Sequence, residues 1–373
     1  MKKVLLVATV QSHIYQFHRL LADLLHENGC EVHVAARNNL AEKNGLNLDF
    51  ADCVFDVPFS RSPKSADNLK AYRMLKHIIS CGDYDVVHCN TPMGGIVARL
   101  ASQKARKKGT KVFYTAHGFH FYKGAPKKNW LIYYPIEKYF SKKTDKLITI
   151  VDEDFQIASS KFHCPVVRIH GVGVDEKRYF PVSCDEKNTM RIKMGFAAQQ
   201  KIILCIGELL PNKNHRMAIR AMSEIVKRFP ETVLLIAGNG PEEPNLRNLI
   251  ASLDLQENVI LLGYVTNLQD YQKISDLLVS CSIREGLGLN VVEALMSGNP
   301  VVLSDNRGHR ELIDGGNNGF MVSIHDDQGM AKCVTELFKN EEKNQMFKDN
   351  AIAFSKRYGF EKVKEELEGI YGF

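Results

Sequence analysis

Twelve short apolar runs, rich in β-branched residues and each followed by a turn and a helical pattern, confine this chain to one kind of architecture. In the first half they are 4–10, 32–36, 86–89, 112–116, 147–150 and 166–169. The second half repeats the scheme with 202–206, 233–237, 259–262, 277–281, 301–304 and 320–322. Unbroken apolar strands alternating with helices are buried on both faces, as in parallel sheets covered by helices. Two such series, joined by the polar stretch 183–191, predict an α/β chain of two doubly wound, Rossmann-like domains, 1–182 and 183–355, facing one another across a cleft. Val363, Leu367 and Ile370 recur at helical spacing, so 356–373 is expected to close the chain as a helix.

Composition agrees with two ordinary globular cores: 45% hydrophobic and 25% charged residues over 373 positions exclude disordered and fibrous classes. Nine scattered cysteines form no C-x-x-C pair or zinc-like cluster, which fits a reduced, cytoplasmic compartment. Lys2 and Lys3 precede an apolar stretch that is too short for a secretory signal and lacks a small-residue cleavage site. It reads as a first buried strand, with Gln11, Ser12 and His13 turning the chain into a helix marked by Ile14, Phe17, Leu20, Leu21, Leu24 and Leu25. No apolar run approaches membrane-spanning length.

The most informative chemistry lies at 284–308, REGLGLNVVEALMSGNPVVLSDNRG. Glu285 falls in the loop at a strand's C-terminal end, where open α/β sheets keep their ligand crevices. Gly286 and Gly288 let the backbone approach a ligand, and the helix that opens at Leu289 and Asn290 presents free N–H groups to an anion such as phosphate. Glu293 lies eight residues beyond Glu285, within reach of a neighbouring hydroxyl. After the strand 202–206, Gly207-Glu208-Leu209-Leu210-Pro211-Asn212-Lys213-Asn214 puts a lysine at the mouth of a crevice, a natural partner for a diphosphate. Further strand-end loops carry Gly238-Asn239-Gly240-Pro241, Asp305-Asn306-Arg307-Gly308, His88-Cys89-Asn90-Thr91 and Thr115-Ala116-His117-Gly118.

The E-x7-E element with the following A-L-M-S-G-N-P-V-V resembles the donor-binding signature of retaining GT-B glycosyltransferases of family four, and similar motifs occur in order along nearly the whole chain. The resemblance implies a GT-B fold whose last helix crosses back to the first domain, and transfer of a sugar from a nucleoside diphosphate sugar with retention at the anomeric carbon. Lys213 falls on the family's lysine and His117 on a histidine that faces the reacting sugar and its acceptor. Glu285 is then the residue that holds the donor sugar's hydroxyls, Glu293 the one that holds the ribose, and Gly207 and Gly240 line the donor crevice. Two departures stand out: Glu208 occupies the place of an arginine, and Asn214 that of a glycine. The diphosphate's second cation is thus unassigned, with Arg307 ranked as its substitute. The first strand is also followed by no glycine-rich loop, leaving Ser12 as the donor available there.

Residues 101–146 hold twelve Lys or Arg against Glu137 and Asp145, a net charge of +10 in a chain of +6. Ten aromatics interleave with them, among them Phe119, Phe121, Tyr122, Trp130, Tyr133, Tyr134, Tyr139 and Phe140. Lys123, Lys127, Lys128 and Trp130, together with Ser12 and Asn90, are assigned to an acceptor side against an anionic membrane surface; the alternative is a solvated basic face over core aromatics. No nucleic-acid module accompanies the block. Its H-G-F-H-F-Y-K-G-A-P and Y-P-I-E-K pieces resemble a bacterial polysaccharide subgroup, many of whose relatives act on lipid-linked acceptors at the inner membrane face.

The acidic triplets Asp152-Glu153-Asp154 and Asp83-Tyr84-Asp85 read as a helix start and a turn, so no metal or other cofactor is expected. The sequence reading is therefore a metal-independent hexosyltransferase using a nucleotide sugar, UDP-sugar by preference, peripheral on the cytoplasmic membrane face. A sugar-nucleotide epimerase on a similar frame and a non-catalytic basic membrane or nucleic-acid adaptor are the alternatives.

Overall fold

A computed structural model describes residues 2–41 and 46–373, which divide into two compact units. The first comprises Met1–Gly173 with Phe360–Phe373, and the second Val174–Gly359. The boundary thus lies nine residues before the expected one, because Val174 already pairs with Gly359 in an isolated parallel bridge.

In the first unit the strands are β1 (Lys3–Val10), β2 (Glu31–Arg37), β3 (Cys53–Asp56), β4 (Val86–Asn90), β5 (Lys111–Ala116), β6 (Lys146–Thr149) and β7 (Val166–Arg168). They form one parallel sheet in the order β3-β2-β1-β4-β5-β6-β7. The second unit repeats the plan with β8 (Ile202–Ile206), β9 (Val233–Ala237), β10 (Val259–Gly263), β11 (Leu277–Ser280), β12 (Val301–Ser304) and β13 (Gly319–Val322). Their order is β10-β9-β8-β11-β12-β13, again all parallel. Strand interiors such as Leu5, Leu6, Leu204 and Leu278 are fully buried, as two-sided coverage requires.

Both orders reverse direction once, between β1 and β4 and between β8 and β11. Those are the switch points at which helices leave opposite faces and open a crevice beyond the strands' carboxyl ends. Every candidate motif named above therefore has a defined place relative to a switch point.

Two local expectations change. β3 was absent from the twelve runs because it is a four-residue edge strand of half-exposed residues ending in Asp56, with no apolar run to reveal it. Gln11, Ser12 and His13 also do not form a turn. The helix Gln11–Phe17 starts directly after β1, and the chain breaks at His18 (φ −129°, ψ 11°) before Arg19–Glu27.

The C-terminal helix Phe360–Tyr371 buries Val363, Leu367 and Ile370 within the first unit. Glu366 accepts from the backbone N–H of His170 at 2.8 Å, Lys364 pairs with Glu27, and the Tyr371 hydroxyl meets His88 Nδ1 at 2.7 Å. Gly173, at φ +85°, leaves room for this helix, since a Cβ there would lie 2.8 Å from Phe360 and 2.7 Å from Leu20. Among the described residues no helix is long and apolar enough to cross a membrane.

Candidate active site

In the second unit, the loops after β8 and β11 are laced together at the switch point. Asn212 accepts from the backbone N–H of Ile283 at 2.8 Å, and its side chain donates to the Arg284 carbonyl at 3.0 Å. This brings Lys213 Nζ to 2.5 Å from Glu285 Oε1, and Ser282 Oγ donates to the same oxygen at 2.7 Å. Gly207 makes the approach possible, because a Cβ there would press on the Lys213 stem at 3.2 Å. Gly240 (φ +156°) lets the loop after β9 close onto the same region, its Cα packing against the Leu209 backbone.

Asn214 explains one departure from the family pattern. Its backbone is left-handed (φ 51°, ψ 39°), the conformation for which glycine is usually chosen and which asparagine tolerates best among the rest. Glu208, the other departure, is exposed, and its carbonyl accepts from Leu210 N–H at 2.8 Å.

The helix Leu289–Met296 starts beside Glu285, with Gly288 (φ 95°, ψ 71°) as its N-cap. Asn290 ties this end to β8 by donating to the Ile206 carbonyl at 2.9 Å, so the helix's first N–H groups, which have no intrahelical acceptor, are held at the switch point. Gly286 lies on the intervening loop, against which Gly308 packs so closely that a Cβ would come within 2.9 Å of Glu285 Cβ. Arg307 is 4% exposed and donates from Nη2 to the Glu285 carbonyl at 3.2 Å. It braces the loop from within the protein, in place of the open cation expected from the sequence.

Glu293 hydrogen-bonds to Tyr179, and enclosure of its carboxyl by protein pushes its pKa up to about 7. An ionised Glu293 is thus disfavoured in the folded chain, whereas an unfolded glutamate ionises near 4.5. Stability attributable to this group falls as pH rises between those values. Glu293→Gln is accordingly expected to raise the melting temperature at pH 8, with the gain shrinking below pH 7 and gone below about pH 4.5. Calorimetric scans across that range check it, and a pH-independent difference would count against an enclosed carboxyl.

In the first unit the loops after β1, β4 and β5 converge. His117 Nε2 donates to Asn90 Oδ1 at 3.1 Å, and Asn90 is fully buried. Thr91 next to it has φ 61° and ψ 152°, a strained setting for a β-branched residue, held by Thr9 through a 2.7 Å hydroxyl contact. Ser12 Oγ accepts from Asn39 at 2.9 Å. The His117 ring packs edge-on against His13 and His18, at 4.5 and 5.4 Å between centroids. Burial lowers the His117 pKa to about 4, so it is a neutral imidazole at physiological pH. His88, expected to line the crevice, is instead a core residue, with Thr115 and Tyr371 each 2.7 Å from one of its ring nitrogens.

The basic aromatic block divides. Phe119, Phe121 and Phe140 are core residues, and Trp130 packs inward on Phe121 and Tyr134 while its Nε1 donates to the Tyr122 carbonyl at 3.2 Å. The outward face of helix Lys127–Ser141 carries Leu131 (77% exposed), Ile132 (53%) and Ile136, which the sequence reading did not single out, beside Tyr133 and Tyr139, which it did. Lys123, Lys127 and Lys128 are exposed at its leading end. Asp152, Glu153 and Asp154 open a helix, with Asp154 accepting from Phe119 N–H at 2.9 Å.

Sequence reasoning also missed Ser282, Tyr179, His13 and His18. None carries a motif: in the second unit Ser282 lies in the loop after β11 and Tyr179 at a bend, while in the first His13 sits on the helix Gln11–Phe17 and His18 at the break that follows it.

Comparison with known proteins agrees with this geometry. Residues 186–354 match the family described as Glycosyl transferases group 1, and residues 3–151 match Glycosyl transferase 4-like. EpsD of Bacillus subtilis (strain 168), named as a glycosyltransferase, is 40% identical over 373 residues, covering 99% of this chain and 96% of EpsD. The Escherichia coli UDP-Gal:alpha-D-GlcNAc-diphosphoundecaprenol alpha-1,3-galactosyltransferase is 25% identical over 345 residues, covering 90% of this chain and 88% of its own. Anabaena HepE, solved in complex with UDP, superposes with a TM-score of 0.79 at 20% identity over the full length of both chains. With two doubly wound sheets and matches along both halves, this chain belongs to the glycosyltransferases of GT-B fold, combining a GT4-like half with a group 1 half.

Proposed function

We propose that this glycosyltransferase moves a hexose from a UDP-sugar, with retention and without a metal in the reaction, to a lipid-linked saccharide in surface polysaccharide synthesis at the cytoplasmic face of the membrane. The observation that carries the reading is the Lys213–Glu285 pair at the β8/β11 switch point, beside the N-terminus of Leu289–Met296. A diphosphate arriving there competes for Lys213 and gains the helix amides, releasing Glu285 to accept hydrogen bonds from the sugar's hydroxyls. The bond from the anomeric carbon to the phosphate oxygen breaks, and the bond to the acceptor oxygen forms on the same face. The acceptor's proton passes to the departing phosphate oxygen, so leaving-group stabilisation by Lys213 is the main catalytic demand. Glu293 accepts from the ribose hydroxyls, and His117, neutral, lies on the acceptor side.

UDP is favoured because the Escherichia coli relative is named for UDP-Gal and HepE was solved with UDP. The relative's diphosphoundecaprenol acceptor supports a lipid-linked substrate. The decisive test has two stages. Thermal shifts against UDP-, GDP- and ADP-sugars identify the donor, since a ligand of the folded state raises its melting temperature. Labelled donor is then incubated with and without lipid extract. Acceptor-dependent UDP release is expected, whereas epimerised sugar without acceptor overturns the proposal in favour of an epimerase.

The membrane side rests on the helix Lys127–Ser141, whose exposed Leu131, Ile132, Ile136 and Tyr139 sit among exposed lysines. Lys127→Glu with Lys128→Glu is expected to weaken binding to anionic vesicles by roughly tenfold or more. Leu131→Ser with Ile132→Ser should weaken binding to anionic and neutral vesicles alike. Cosedimentation checks both, and unchanged binding in the lysine variant would sink the electrostatic part.

A further inference from the structure

The break at His18 has a chemical result. In an uninterrupted helix, His13 and His18 are five residues apart and point about 140° away from each other. In the structure, with a non-helical backbone at His18, both rings instead pack against His117. One ring nitrogen from each of the three lies within 4.8 Å of the others. Nε2 of His13 and Nε2 of His18 are shut off from solvent and meet no hydrogen-bond partner among the described residues, and His18 is 3% exposed. Buried polar atoms of that kind call for an explanation, because folded proteins pair nearly all of them. His117 is oriented from outside the cluster: its Nε2 donates to Asn90 Oδ1, which leaves Nδ1 as the lone-pair nitrogen.

We propose that His13, His18 and His117 form a binding site for a divalent transition metal of the zinc class, and that filling it shuts off transfer by engaging His117. Three imidazoles are the donor set such ions favour, leaving one position for water. Metal–nitrogen bonds of about 2.0–2.1 Å place tetrahedral ligands roughly 3.4 Å apart, so the rings need close by no more than about 1.4 Å. His88, the fourth imidazole nearby, is excluded because Thr115 and Tyr371 occupy both its nitrogens. The binding arm is independent of the function proposed above, whereas the inhibition arm rests on His117 acting in transfer.

The test uses the full chain stripped with chelator and titrated with Co2+, then Zn2+. One ion per chain is expected, with visible bands of a low-coordinate nitrogen site and no thiolate charge-transfer band. His13→Gln, which leaves the buried His18 in place, should weaken binding at least tenfold without lowering the metal-free melting temperature. Cys81→Ser is the control, because exposed Cys81 lies 3.7 Å from His77 and forms the obvious competing site. Co2+ bands that persist in His13→Gln, vanish in Cys81→Ser, or never form below 100 μM overturn the site. Zn2+ that binds at the histidines yet leaves acceptor-dependent UDP release unchanged overturns the inhibition alone, and release that Zn2+ suppresses and EDTA restores supports it.

Discussion

Lys213→Ala is expected to lower the rate of sugar transfer by about two to three orders of magnitude, the typical cost of removing one preorganised group from a developing negative charge. The loss should fall mainly on kcat, because the diphosphate acquires its extra charge only as the glycosidic bond breaks, while the helix amides at Leu289–Met296 still bind the ground state. Lys213→Arg should not restore the rate. The lysine stem lies along Gly207 with its Cδ 3.2 Å from where a Cβ would stand, a channel suited to a slender chain ending in a point charge. Glu285→Gln separates the two roles of the pair: it frees Lys213 of its counter-charge but deprives the sugar hydroxyls of an ionised acceptor. Steady-state kinetics on the three variants, with melting curves to confirm folding, check the assignment. A Lys213→Ala enzyme within fivefold of the parent would remove lysine from the leaving-group role.

Much of the fold was legible because a parallel sheet buried on both faces prints itself as apolar runs, and twelve of the thirteen strands did so. The thirteenth, β3, lies at an edge with alternating half-burial, and an edge strand needs no apolar run. The switch points were not legible as such, since strand order is a property of pairing and not of local pattern. Knowing them turns Lys213 and Glu285, seventy-two residues apart, from two plausible motifs into one ion pair. The failures are equally physical. Trp130 was assigned to the membrane side from the basic residues around it, yet its Nε1–H finds a backbone acceptor at Tyr122 and the ring goes inward. Arg307 was ranked as the diphosphate's second cation from its place in a strand-end loop, and a chain of letters cannot show that its guanidinium is enclosed beneath Glu285. The His18 break has no proline or glycine to announce it, so the convergence of His13, His18 and His117 was invisible.

Glu137→Ala is expected to destabilise the first unit by about 3–5 kcal/mol, the usual result of stripping one partner from a buried ion pair. Arg99 is 1% exposed and Glu137 is buried as well, with Nη2 to Oε2 at 3.0 Å. Tyr114 adds a 3.2 Å hydroxyl donor to Glu137, and the guanidinium stacks 4.0 Å from the Tyr114 ring centroid. Removing the carboxylate leaves an enclosed guanidinium whose Nε still donates to the Gly95 carbonyl at 2.9 Å but whose charge has no partner in this cluster. The corresponding fall in melting temperature is roughly 6–20 °C for a unit of this size. Replacing both partners together, Arg99→Met with Glu137→Leu, should recover most of that loss, because the pair's net worth is small once neither charge is buried. The two outcomes differ in function even where stability is rescued. Glu137 lies on the inward face of the helix whose outward face carries Leu131, Ile132 and Tyr139, so the pair fixes the rotation of that outward face, the one proposed above to bind a membrane. The double variant should therefore melt near the parent and bind vesicles like it if the apolar replacements keep that rotation. Vesicle binding lost at full stability would show that Arg99 and Glu137 serve orientation rather than folding.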